Sequence, residues 1–237
     1  MSSIGGFQLP PLTRLTRDVL IVLFVMYAVE LAARNLFGLP IDLLRWRAFG
    51  AGFAPWQPVS RYLVQGQGVL GVVLAGVVVY FFLPTVQKMV STRQLLEALG
   101  AGAAGGTLLA LVLAAFGPAA GATTGWAPLV TVLVVLFGLK IPDATILLFF
   151  VLPVPAKLLV WGTGVVAFLL LLAGFDMGHA DFFGTWLGAV GWWYWRGPAG
   201  RKRKLMRDAH RIERELSRFT VLDGGKNRPD DDEPMVH

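Results

Sequence analysis

Six apolar stretches, at residues 19–37, 62–83, 95–116, 126–139, 157–175 and 182–195, restrict what this chain can fold into. A helix crosses about 30 Å of hydrocarbon with about 20 mostly apolar residues. Four stretches reach that length, and the fourth and sixth, at 14 residues each, need neighbours to shield them. The charges follow the same division: 17 of the first 195 residues are Asp, Glu, Lys or Arg, against 19 of the last 42. With a mean hydropathy of +0.63, the chain is no ordinary soluble globule, and only its tail has the composition of a disordered segment. The absence of Cys excludes disulfides and thiolate metal sites. No cofactor or metal is expected.

The expected fold is an all-α membrane protein. Residues 1–17 form a cytoplasmic N-terminus, 18–196 a six-span domain, and 197–237 a basic then acidic cytoplasmic tail, helical at first and disordered after. Arg14, Arg17, Lys88, Arg93, Lys140, Lys157 and Arg196 fall on one side of a six-span arrangement, and basic residues mark the cytoplasmic side. The inner, plasma membrane is the expected location. The first span reads as retained, not as a cleaved signal. The segment 38–61 breaks the charge rule with Arg45, Arg47 and Arg61 on the outer side. Its Trp46 and Trp56 suit a helix lying in the interface. No internal repeat is visible.

In the tail, Arg201, Lys202, Arg203 and Lys204 lead into a weak apolar stripe of Leu205, Met206, Ile212, Leu216 and Phe219 among further arginines. This is either a cluster that fixes topology or a surface helix on anionic lipid. A nucleic-acid partner is not expected, because the tail lacks an aromatic platform and ends in Asp230-Asp-Asp-Glu.

Three ordered stretches resemble the rhomboid family of intramembrane serine proteases. Pro55-Trp56-Gln57-Pro58-Val59-Ser60-Arg61-Tyr62-Leu63-Val64-Gln65-Gly66 is similar to the rhomboid lead-in to span two, typically Trp-Gln-Leu-Val-Thr-Tyr-x-Phe-Leu-His-Gly. Gly121-Ala-Thr-Thr-Gly125 stands where rhomboids carry Gly-x-Ser-Gly, and Leu147-Leu-Phe-Phe-Val-Leu-Pro-Val-Pro-Ala-Lys157 resembles the run that leads into span five. Asp181-Phe182-Phe183-Gly184-Thr-Trp-Leu-Gly188 stands where rhomboids have Ala-His-x-x-Gly-x-x-x-Gly. The resemblance covers about residues 15–196 and implies a six-helix rhomboid-like bundle.

It also implies lost chemistry. The family's Ser–His dyad falls on Thr124 and Phe182, and a phenyl ring cannot accept a proton. The His and Asn that stabilise the oxyanion fall on Leu70 and Leu74, which have no donor. Gly184 and Gly188 keep the close-packing face, which in the family meets the short fourth span; Gly100–Gly106 can serve span three likewise. The expectation is therefore a pseudoprotease: a member of a serine-type endopeptidase family without the activity, whose partners are membrane lipids and transmembrane segments of client proteins. Its cavity is expected around Leu70, Leu74, Thr124 and Phe182.

Two alternatives stay open. One is an active peptidase using Thr124 with His179, three residues before Phe182, or with an unusual base. The other is a small-solute or ion pathway, which the scarcity of polar residues in spans two to six disfavours. Glu30 and Arg34, four apart, are expected to pair on one helix face. Arg45, Trp46 and Arg47, with Trp56, are expected to bind headgroups or carbonyls at the interface, like the Trp-Arg element of many rhomboid relatives.

Overall fold

The computed structural model describes residues 12–47, 54–66, 68–116, 121–148 and 152–216. The long helices are α1 Arg14–Asn35, α3 Val69–Met89, α4 Thr92–Phe116, α5 Ala127–Lys140, α6 Ala156–Ala173, α7 Met177–Trp195 and α8 Pro198–Leu216, with the short α2 at Gln57–Ser60. Their starts follow from local chemistry. The Thr13 hydroxyl accepts the Thr16 N–H ahead of α1, and Ser91 and Gln94 bond reciprocally ahead of α4. The Asp176 carboxylate accepts the His179 N–H at 2.8 Å and caps α7. Three helices, α3, α4 and α6, are long and apolar enough to cross a membrane; α5 is as apolar but has 14 residues. This is a mostly helical integral membrane protein.

The chain is not helical throughout. Strands β1, Thr145–Leu148, and β2, Leu152–Pro155, form an antiparallel hairpin with Thr145 opposite Pro155. Pro153 and Pro155 bar a helix through this segment, and a two-stranded ribbon tolerates them because each strand is an edge. The expected disordered part of the tail, 217–237, lies outside the described residues.

The centre of the bundle is set by small residues. α4 and α7 run antiparallel with Gly105 against Gly184 and Gly102 against Gly188. A Cβ on Gly184 would lie 2.5 Å from the Gly105 carbonyl oxygen, a clash with rigid backbone. The Gly184–Gly188 face therefore meets α4, the third long helix, and not the short α5 as expected. The glycine run of α4 gives the physical reason: there two helix backbones offer each other room.

α5 packs on α3, α4, α6 and α7, burying Val132, Leu133, Val135 and Leu136. A helix apolar on every side suits this central place. α1 lies along α3 with its start bonded to the far end of α3, Thr13 Oγ1 donating to Gln87 Oε1 at 2.7 Å.

Three helix starts differ from the sequence expectation: α1 begins at Arg14 and not at 19, and the other two shifts matter for the site. α3 begins at Val69, not at 62, because Gly66 turns the chain with φ +58° and leaves the preceding residues as a loop. α7 begins at Met177, five residues before 182, because Asp176 supplies a cap that periodicity does not reveal.

Candidate functional site

The polar residues of the membrane domain meet at one place, where three non-helical segments close over the α4–α7 pair. Segment 121–126 is held first by backbone. Thr123 exchanges both of its backbone hydrogen bonds with Trp46, at 3.1 and 3.2 Å, and the Gly125 N–H donates to the Arg61 carbonyl at 3.1 Å. The Trp126 indole donates to the Tyr62 carbonyl at 2.6 Å. Gly125, at φ +93°, makes the turn that allows this. On the other side, Gln57 and Ser60 tie α2 to the 3-10 turn Ile41–Leu44. The Gln57 amide accepts the Arg47 N–H and donates to the Leu43 carbonyl, and Ser60 Oγ donates to the Leu44 carbonyl at 3.1 Å.

These ties bring Arg61 to the centre. Its Nη1 lies 2.9 Å from Asp181 Oδ2 on α7, with both side chains 1% exposed. The Thr123 hydroxyl donates to the same carboxylate oxygen at 3.0 Å. Arg61 Nη2 donates to Tyr62 Oη at 2.5 Å and to Thr107 Oγ1 on α4 at 3.2 Å. The guanidinium carbon stands 4.6 Å from the centroid of the Trp46 ring and 4.6 Å from that of Tyr62, so two aromatic faces cover the cation. Gly106 of α4 completes the packing, for a Cβ there would overlap Asp181 Oδ1. One buried ion pair thus joins the first loop, the segment before α5, and helices α4 and α7.

This arrangement corrects several expectations. Thr124 and Phe182 do not come together as a site. Thr124 is half-buried against Gly66, and the pair that meets is Thr123 and Asp181. Leu70 and Leu74 are 72% and 51% exposed on α3, so they do not line a buried cavity with Thr124 and Phe182. His179 is held in the first turn of α7. Its Nδ1 lies 3.0 Å from the Gly174 carbonyl and 3.1 Å from the Asp176 carboxylate, and no hydrogen bond joins it to Thr124.

Trp46 is wholly buried under Arg61 and so is no headgroup anchor, while Arg47 is exposed and Trp56 is 60% exposed at the surface. The Arg45 side chain is half-buried. The described residues of the first loop hold short helical turns, Ile41–Leu44 and α2, and no long helix; residues 48–53 lie outside them. Glu30 does not pair with Arg34. Its carboxylate accepts the Gln65 and Gly66 N–H groups at 2.7 and 3.3 Å and pins α1 to the loop ahead of α3.

Sequence reasoning missed Arg61 and Asp181 as partners. The signal was present: Arg61 is one of three arginines in the segment 38–61 that break the expected charge rule, and Asp181 is an acid at the border of the sixth apolar stretch. A buried charge needs an opposite one. Among the described residues no group of three or more His, Cys, Asp or Glu is placed to hold a metal. Comparison with family models, with curated proteins and with solved structures gives no match.

Proposed function

We propose that this protein is a rhomboid-like membrane protein without peptidase activity, which holds transmembrane segments of client proteins against the bundle. The observation that carries this reading is the closed state of Thr123. Its hydroxyl is bonded to a carboxylate already paired with Arg61, and its backbone N–H and carbonyl are both taken by Trp46. Thr123 is also only 5% exposed, which leaves a substrate carbonyl no approach to that oxygen.

The rhomboid resemblance gains support from the geometry once its patterns are counted from their glycines. In Gly-x-Ser-Gly, counting from Gly121 puts Thr123 in the serine position, with Thr124 in place of the second glycine. In Ala-His-x-x-Gly-x-x-x-Gly, counting back from Gly184 puts Ala180 and Asp181 in the Ala-His positions. These are the two residues that meet across 3.0 Å. In this reading all six long helices before α8 cross the bilayer of the inner, plasma membrane. Their basic ends, from Arg14 to Arg196, lie on the cytoplasmic side with both termini.

The client face lies between α3 and α6, which both pack on α5. Leu70, Val73 and Leu74 on α3, and Leu158 and Val165 on α6, are exposed. The test uses purified protein with a transmembrane reporter substrate. The expected result is no cleavage by wild type, together with crosslinking of the reporter from single cysteines at Leu74 and Val165 but not from Val29 on α1. Cleavage that disappears in Thr123→Ala would overturn the reading.

A further inference from the structure

At the far end of α7 the chain turns sharply into α8. Gly197 lies against Trp193 and Gly200 against the Trp195 carbonyl, where any Cβ would clash with backbone. The turn leaves an open cleft between the two helices, lined by Gly191, Tyr194, Trp195, Gly200, Arg203 and Arg207. Arg203 and Arg207 are four residues apart and share a helix face. The Arg203 guanidinium stands 5.4 Å from the centroid of the Tyr194 ring, which fixes that face toward the cleft.

Neither arginine has a carboxylate partner among the described residues, whereas Arg211, on the next turn, is paired with Glu215 at 3.1 Å. From Arg196 to Arg207 the sequence holds six basic residues and no acid. The floor of the cleft is open: a Cβ on Gly191 would meet nothing within 4 Å.

We propose that this cleft binds the phosphate of an anionic phospholipid headgroup between Arg203 and Arg207, with the lipid's acyl chain lying along α7. Two guanidinium groups on one face match a phosphate's oxygens. A lipid is favoured over a free anion by the wall beneath. Trp195 is 87% exposed, and Leu187, Gly191 and Tyr194 follow one another down a single face of α7 with Leu187 44% exposed. A dissolved phosphate gains nothing from that apolar strip, but a phospholipid covers it. Trp and Tyr beside basic residues at a helix end also mark the headgroup level of a bilayer. The site requires α7 to end at a membrane surface, and it stands whether or not the bundle holds a client.

The test titrates the full chain in detergent micelles with dioctanoyl phosphatidylglycerol, dioctanoyl phosphatidylcholine and inorganic phosphate, reading bound species by native mass spectrometry. Phosphatidylglycerol is expected to bind at least tenfold tighter than phosphatidylcholine. That preference is expected to vanish in Arg203→Gln/Arg207→Gln and to survive in Arg211→Gln. Gly191→Leu, which fills the cleft without touching a charge, is expected to lower phosphatidylglycerol binding tenfold while leaving the thermal midpoint unchanged. Equal binding of the two lipids would overturn the proposal, as would undiminished binding in both the double variant and Gly191→Leu. Full displacement of the lipid by millimolar phosphate would assign the cleft to a free anion instead and overturn it too.

Discussion

Asp181→Asn keeps the shape of the side chain and removes its charge, leaving the Arg61 guanidinium buried among Trp46, Tyr62 and Thr107 without a counter-ion. At the contact distance of a hydrogen-bonded pair and an effective dielectric near 20, the lost attraction is about 4 kcal/mol. Breaking a buried pair from one side costs about 3–5 kcal/mol in proteins generally, because the remaining charge stays desolvated. For a domain of this size each kcal/mol moves the unfolding midpoint by about 2–4 °C. Asp181→Asn is therefore expected to lower the midpoint by about 6–20 °C, and Arg61→Met by a comparable amount. The double variant Arg61→Met/Asp181→Leu buries no charge. It should recover most of the loss, since apolar replacement of a whole buried pair is often neutral or stabilising. Intrinsic tryptophan fluorescence during heating in detergent micelles reads all four proteins. Single variants that melt within 1 °C of wild type would refute the assignment of Arg61 and Asp181 as a stabilising pair. So would a double variant whose loss equals the sum of the two singles.

Thr123→Val should cost about 1.5–3 kcal/mol, the worth of a hydrogen bond to a charged group, while Thr124→Val should stay within about 0.5 kcal/mol; thermal midpoints of the two separate them. Gly106→Ala pushes a methyl group into Asp181 and Thr185 Oγ1 and is expected to destabilise by about 1–3 kcal/mol. Gly100→Ala, with nothing within 4 Å, should be neutral or stabilise by up to about 1 kcal/mol in the same melt. Glu30→Gln weakens two backbone hydrogen bonds to a carboxylate, at about 1 kcal/mol, and should be seen as faster amide exchange at Gln65 and Gly66.

Much of the bundle was legible because its signals are local. Hydropathy places α4, α5 and α6 within three residues of their observed starts, and the Gly184–Gly188 spacing announces a close helix contact. Which helix fills that contact is not a local property. It depends on α4 offering Gly102, Gly105 and Gly106 in antiparallel register, and a single sequence does not print registers. The starts of α3 and α7 were misjudged for a related reason. Apolar residues occupy 62–64 ahead of the apolar α3, and the left-handed Gly66, with Glu30 from a different helix bonding beside it, stops a helix from running on from them. Leu70 and Leu74 are exposed, so the site expected around them is displaced. Trp46 shows the same limit from the other side. A tryptophan next to arginines has the composition of an interfacial anchor, but its ring lies wholly buried because Thr123, from a distant segment, pairs with its backbone.

The chemistry at Thr123 follows from what its carboxylate partner already does. A general base must be free to take a proton and must be more basic than its surroundings make costly. Moving the Thr123 proton onto Asp181 would leave an alkoxide and a neutral acid beside a guanidinium that has lost its counter-ion, all in a place that water does not reach. The ion pair opposes that transfer by about the energy that holds it together. The same pair accounts for an arginine on the side of the chain where cations are unexpected, for an acid inside an apolar helix, and for a hydroxyl aimed at a carboxylate. Three polar residues that each invite a separate catalytic or transport role are engaged with one another. The proposed contacts with outside molecules lie instead on the exposed flanks of α3 and α6 and at the basic angle between α7 and α8.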